Sequence, residues 1–163
     1  MRSELPKVLH RLCGLTLIER VLRGVYPAVL RTGGLAPAIA DLAGRSTVPV
    51  ETALGTRRRF DPAAESTLYF VCAEALANVS KHARARGARV QLADRDDGPE
   101  VTIVDDGVGG AAIDRGSGLR GLLDRIEALG GSMSIESRPG HGTTLVARVP
   151  PRRPQGGPAG AHE

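Results

Sequence analysis

Tryptophan is absent from this 163-residue chain, and tyrosine and phenylalanine occur only twice each. A core must therefore be built from Leu, Val, Ile and Ala. So few flat rings cannot supply many base-stacking platforms, which argues against single-stranded nucleic acid as a partner. Cysteine is nearly missing as well. Cys13 and Cys72 are too few for a disulfide framework or a metal site, which fits a reducing, cytoplasmic setting, and Cys72 falls on a helical apolar face as a small hydrophobe. No apolar run approaches the ~20 residues that a membrane span needs, and MRSELPKVLHRL lacks the apolar stretch of a signal peptide. The expectation is a soluble segment with no membrane contact of its own, which leaves room for a membrane-bound parent.

What is present is the material of one domain with a short accessory piece and tails. The formal charge of +4 is partly concentrated in Arg57, Arg58 and Arg59 and in Arg152 and Arg153. Such runs read first as solvated surface. Residues 4–24 carry Leu5, Val8, Leu9, Leu12, Leu15, Ile18, Val21 and Leu22 at roughly helical spacing, broken by Gly14 and Gly24. The stretch GVYPAVLRTGG, with its proline and glycine pair, predicts a connector into a helix from Leu35 to Gly44, and VPVETAL then predicts a short strand. Asp61 and Pro62 form a helix start, with the aspartate as N-cap and the proline at the first helical position. The helix expected from there runs to about Arg86 and ends at Gly87, with Leu68, Val71, Cys72, Ala75, Leu76 and Val79 on its apolar face.

Alternation in ARVQLADR and EVTIVDD, around Asp96, Asp97, Gly98 and Pro99, predicts an antiparallel hairpin. A glycine-rich loop from Gly107 to Gly118 leads into a helix with Leu119, Leu122, Leu123, Ile126 and Leu129 inward and Gly130 as its stop. SMSIES and TTLVARV flank RPGHG as a second hairpin, and after Pro150 the composition cannot bury enough apolar surface to order itself. The fold class expected is α/β (α+β): a two-layer sandwich whose mixed, mostly antiparallel sheet is covered by helices on one face.

Three polar features stand out against this frame. Glu74, Asn78 and Lys81 project within about 60° of one another along the border of the apolar face, and His82 follows directly. Asp105 closes an apolar strand and is followed by Asp106, Gly107, Val108, Gly109 and Gly110. A carboxylate at a strand end followed by glycines suits presentation into a pocket that the backbone approaches closely, although DG chemistry also makes ordinary turns. GSGLRG, residues 116–121, opens a helix and so offers N–H groups to an anion, but no GK[ST] follows, so it is not a Walker A loop.

The order of these features carries more than any one of them. EALANVSKHARA, then DDGVGG, then GSGLRGLLDRIEALGG, then PGHGTTLVARVP resembles the Bergerat-type ATP-binding domain of sensor histidine kinases and their GHKL relatives, the gyrase, Hsp90 and MutL ATPases. The wording looks most like the kinase branch that pairs with NarL-type response regulators, and the resemblance covers residues 35–150. It implies ATP and Mg²⁺ as cofactors. Asn78 would be the Mg²⁺ ligand and Glu74 the catalytic residue that polarises the attacking group. Lys81 and His82 would face phosphate charge, and Asp105 would accept from the adenine amino group. Gly107 and Gly109 would let the chain fold around the base. Gly116, Gly118 and Gly121, with Leu119 among them, would flank a lid over the phosphates, and Thr143 would complete the adenine site.

The resemblance also implies an element that the pattern does not match. Relatives place a dimerisation hairpin with a phosphoacceptor histidine and a following acidic residue ahead of the ATP domain. Here His10 is followed by Arg11, and Tyr26 stands where relatives often have histidine before proline. Residues 1–34 are therefore expected to be the end of such a hairpin and its linker, residues 35–150 the ATP-binding domain and residues 151–163 a disordered tail. A phosphoacceptor hairpin in cis or in trans and a NarL-type response regulator are the implied partners, with a homodimer only where the hairpin is present. Two other readings stay open: a kinase or nucleotide-dependent binding module resembling anti-sigma factors, and an ATP-binding scaffold without chemistry.

Overall fold

The computed structural model of the chain describes residues 28–111 and 117–151. Helix α1 (Ala28–Gly33) and helix α2 (Leu35–Gly44) lead into strand β1 (Val50–Leu54) and the long helix α3 (Pro62–Asn78). A π-helical turn (Val79–Ala83) continues α3, and β2 (Ala88–Arg95), β3 (Gly98–Asp105), α4 (Ser117–Ala128), β4 (Ser132–Glu136) and β5 (Thr143–Arg148) complete the described elements. The expected helix over residues 4–24, His10 and the C-terminal tail lie outside the described residues.

The sheet has five strands in the order β1-β2-β3-β5-β4. β1 runs parallel to β2 through the α3 crossover, and every other pairing is antiparallel. Val90, Leu92, Val101, Ile103, Leu145 and Ala147 face the helices and are buried with Leu35, Ile39, Leu68, Val71, Leu122 and Ile126. The alternating residues Arg89 and Gln91 point the other way and are exposed. That is the one-sided cover expected from the period-two pattern.

The start of α3 follows its sequence signals. The Asp61 side chain accepts from the Ala63 N–H at 2.9 Å, and Pro62 occupies a position whose missing donor costs nothing. At the start of α2, Gly34 at φ 76° is the N-cap, where a Cβ would stand 2.7 Å from Arg59 Cδ. Arg59 in turn forks onto the fully buried Glu65 carboxylate at 2.9 and 3.1 Å and donates to the Leu30 carbonyl.

The structure corrects three local expectations. The GVYPAVLRTGG stretch is not connector throughout, because Ala28–Gly33 is helical and Leu30 is buried in the core, where packing overrides the weak local breaker signal. The α-helix from Pro62 stops at Asn78 rather than near Arg86, and Gly87 is not its stop. It widens into the π turn and ends at Arg84, a non-glycine residue in the left-handed region. The cause is tertiary: the Ala83 carbonyl is taken by the Val108 N–H, and the Asp106 carboxylate takes the N–H groups of Arg86 and Gly87. The β2–β3 turn is also tighter than expected, since Arg95 pairs with Gly98 and only Asp96 and Asp97 lie between.

Candidate functional site

Between the C-terminal end of α3, the ends of β3 and β5 and the start of α4 lies a cavity of about 180 Å³. Its polar lining comes from Asn78, His82, Asp105 and Thr143, and its apolar lining includes Ala75, Val79, Ile103, Leu119, Ile135 and Leu145. Asp105 and Thr143 are directly paired across β3 and β5, and both carry the next inward residue of their strand, Ile103 and Leu145, into the same wall. A mostly apolar cleft with a few convergent polar groups is the general form of a small-molecule site.

The two adjacent aspartates have separate jobs. Asp105 is 8% exposed, lines the cavity and accepts one hydrogen bond, from the Gly107 N–H at 2.8 Å. Among the described residues no cation pairs with it. Asp106 points instead at the segment after the π turn, with Arg86 N–H at 2.7 Å, Gly87 N–H at 3.1 Å and Arg86 Nε at 3.1 Å. The Gly87 and Arg86 main-chain donors hold its carboxyl below the usual aspartate range. Asp106 thus ties the segment between the π turn and β2 to the end of β3, next to the cavity.

The glycines after Asp105 are close-approach positions. A Cβ on Gly107 would run into the Ala83 carbonyl, and one on Gly109 would meet the Arg138 and Gly142 carbonyls. Loop 107–111 is held to loop 137–142 by Gly140 N–H on the Val108 carbonyl at 2.7 Å and by Ala111 N–H on Ser137 Oγ at 3.0 Å. Gly118, in the first turn of α4, lies against Glu74, which does not itself line the cavity.

The π turn splits the expected polar stripe. Widening the helix lowers the rotation per residue, and the turn leaves His82 with Asn78 on the cavity wall while Lys81 is exposed outside it. Gly121 has open space about it and is not brought to the cavity, and Gly116 lies outside the described residues. Sequence reasoning missed Gly110, Ala111, Ile103, Ile135 and Leu145 as lining. The period-two spacing from Asp105 to Ile103 and from Thr143 to Leu145 was the available signal for two of them.

The donors present suit a magnesium ion carried by phosphates. Asn78 offers one carboxamide oxygen at the wall, and the described residues contain no group of three or more His, Cys, Asp or Glu able to cage a metal by themselves. Magnesium characteristically takes few protein ligands beside water and phosphate oxygens. No helix among the described residues is long and apolar enough to cross a membrane.

Comparison with known proteins bears on this geometry. Residues 63–153, more than half of the chain, match the family described as histidine kinase-, DNA gyrase B- and HSP90-like ATPases. Over 161 aligned residues the chain is 34% identical to the signal transduction histidine-protein kinase/phosphatase UhpB of Salmonella typhimurium, taking in 83% of this chain and 31% of that protein. It is 33% identical over 142 residues to the sensor histidine kinase NarS of Mycobacterium tuberculosis, with 79% of this chain and 32% of that one covered. The chain therefore spans about a third of the length of these relatives. The solved ATP binding domain of PrrB from Mycobacterium tuberculosis matches with a TM-score of 0.52 at 26% identity, over 73% of this chain and 92% of that one. Similarity to NarS and UhpB accords with the NarL-type branch, and the mixed sheet agrees with the fold of the PrrB domain. With the family match extending over the helix, strand ends and hairpin that build the cavity, the chain belongs to the histidine kinase-, DNA gyrase B- and HSP90-like ATPases.

Proposed function

We propose that the chain is the ATP-binding catalytic portion of a two-component sensor histidine kinase and that the cavity takes Mg-ATP. The observation that carries this reading is Asp105, a buried carboxylate on the cavity wall with a single main-chain donor at 2.8 Å. A buried carboxylate so sparsely served calls for a donor from whatever enters. An adenine amino group supplies one, whereas a carbonyl in its place would be repelled. Thr143, its cross-strand partner, completes that end.

Asn78 would hold Mg²⁺, which would neutralise phosphate charge, and His82 would face the phosphates from the same wall. Lys81, exposed just outside, would attract that charge at longer range. Glu74, beside Gly118, would orient the attacking group, and the glycines of loop 107–111 would admit the base. Residues 35–150 form the proposed ATP-binding domain, residues 1–34 the end of a dimerisation hairpin and its linker, and residues 151–163 a tail. The phosphoacceptor is a histidine of a hairpin in cis or in trans, the downstream partner a NarL-type response regulator, any homodimer is made through the hairpin, and the setting is cytoplasmic.

Incubating the full chain with γ-labelled ATP and a hairpin segment from a cognate kinase tests this. The hairpin should acquire label with the acid lability of phosphohistidine, while the chain itself stays essentially unlabelled. Acid-stable label on a partner serine would replace this reading with one resembling the anti-sigma-factor kinases, and label on His10 would overturn the assignment of the acceptor to a hairpin.

A further inference from the structure

Ser137 lies behind the cavity wall, one residue after β4, and touches three groups that matter at the wall. Its Oγ is 3.0 Å from the Ala111 nitrogen, 3.2 Å from the Gly142 carbonyl oxygen and 2.9 Å from Thr143 Oγ1. Ala111 and Thr143 line the cavity, but Ser137 does not. Any effect it has on a ligand must pass through those neighbours.

A serine hydroxyl has one proton to donate and two lone pairs to accept with. The Ala111 N–H can only donate, so it takes one lone pair. The Gly142 carbonyl can only accept, and Gly142 is buried, where an unpaired carbonyl is costly. Placing the Ser137 proton on that carbonyl leaves one lone pair, facing Thr143. The Thr143 hydroxyl is then the donor of the 2.9 Å bond, and its proton points away from the cavity. What Thr143 offers the cavity is oxygen lone pairs.

We propose that Ser137 is a positioning residue for base recognition, fixing the Thr143 hydroxyl as an acceptor while anchoring Ala111 of the cavity wall. Asp105 and Thr143, paired directly across β3 and β5, then form two acceptors side by side. Such a pair fits a ligand edge that carries an amino group and disfavours one that offers only a ring nitrogen or a carbonyl. This rests on the nucleotide reading of the cavity and assigns part of its selectivity to a residue outside the wall.

The test uses calorimetry on the full chain with ATP and with purine riboside triphosphate, which lacks the 6-amino group. The unsubstituted chain should prefer ATP. Ser137→Ala frees the Thr143 proton to turn into the cavity, and the preference should fall roughly three- to tenfold, the span of one neutral hydrogen bond. Thr143→Val should reduce the preference by a similar factor, and adding Ser137→Ala to it should reduce it no further, because Ser137 acts through Thr143. Hydrogen exchange of the Ala111 amide should quicken in Ser137→Ala without nucleotide, while unchanged protection of the β3 and β5 ladder amides reports that the variant is folded. An unchanged preference in a folded Ser137→Ala, or losses that add in the double variant, would overturn the role of Ser137 and leave the nucleotide site standing. Failure of the unsubstituted chain to bind either nucleotide would overturn both.

Discussion

Glu74 lies against Gly118 so closely that its carboxylate carbon is 2.8 Å from where a Cβ on Gly118 would stand. The first turn of α4 can rest on the carboxylate of α3 because residue 118 has no side chain. Gly118→Ala should therefore push the Glu74 carboxylate aside. The far end of a flexible side chain moves cheaply, and alanine favours the helix over glycine by about 0.5–1 kcal/mol. Thermal stability should hold or rise slightly and ATP affinity should stay within about threefold, while labelling of an added hairpin slows by about tenfold or more, as expected when a reacting group is displaced. Lost stability with an unchanged labelling rate would reduce the contact to packing.

Asp105→Asn keeps an oxygen for the Gly107 N–H, so the variant should fold. It replaces a charged acceptor in the cavity by a neutral carboxamide. Hydrogen bonds to charged groups contribute about 1.5–3 kcal/mol, so ATP affinity should fall by roughly 10- to 100-fold and the preference for ATP over GTP should shrink. Calorimetry with both nucleotides checks it, and equal affinities in the unsubstituted chain would remove Asp105 as the reader of the base.

Asn78→Ala deletes the wall's carboxamide oxygen without touching Asp105 or Thr143. The enhancement of nucleotide affinity by Mg²⁺ should shrink while binding in the presence of EDTA persists. A folded variant with an undiminished magnesium effect would return Asn78 to a role in lining only.

Acid should weaken the fold partly through Asp106 and Glu100. Gly87 and Arg86 donors lower the pKa of Asp106, and Arg148, with Arg95, lowers that of Glu100 on β3. A carboxyl whose pKa is lower folded than unfolded contributes stability that is fully present above its unfolded value, about 3.9 for Asp and 4.3 for Glu, and is lost as pH falls through the folded value. The urea midpoint should therefore drop on going from pH 5 toward pH 3. It should drop less over that interval for Asp106→Asn combined with Glu100→Gln, whose stability at pH 7 is already reduced.

Much of this protein is written locally. Asp61 with Pro62, Gly130 at φ 75°, and the alternation through Val90, Leu92, Val101 and Ile103 each act over one turn of helix or one strand, so the helix start, the helix stop and the buried sheet face follow from neighbouring residues. The order of motifs likewise places Asn78, Asp105 and Thr143 at the ends of a helix and two strands, and the fold brings those ends together. Only the tertiary structure decides where the α-helix gives way to a π turn, since that depends on Val108 and Asp106 taking backbone groups from residues about 20 positions away in sequence. That widening separates Lys81 from Asn78 and keeps His82 beside it. The contact of Ser137 with Ala111 is decided in the same way. A hydroxyl carries no periodicity to betray its partners: Gly142 and Thr143 reach Ser137 across its own β4–β5 hairpin, but Ala111 meets it only once loop 107–111 has closed on the turn of that hairpin.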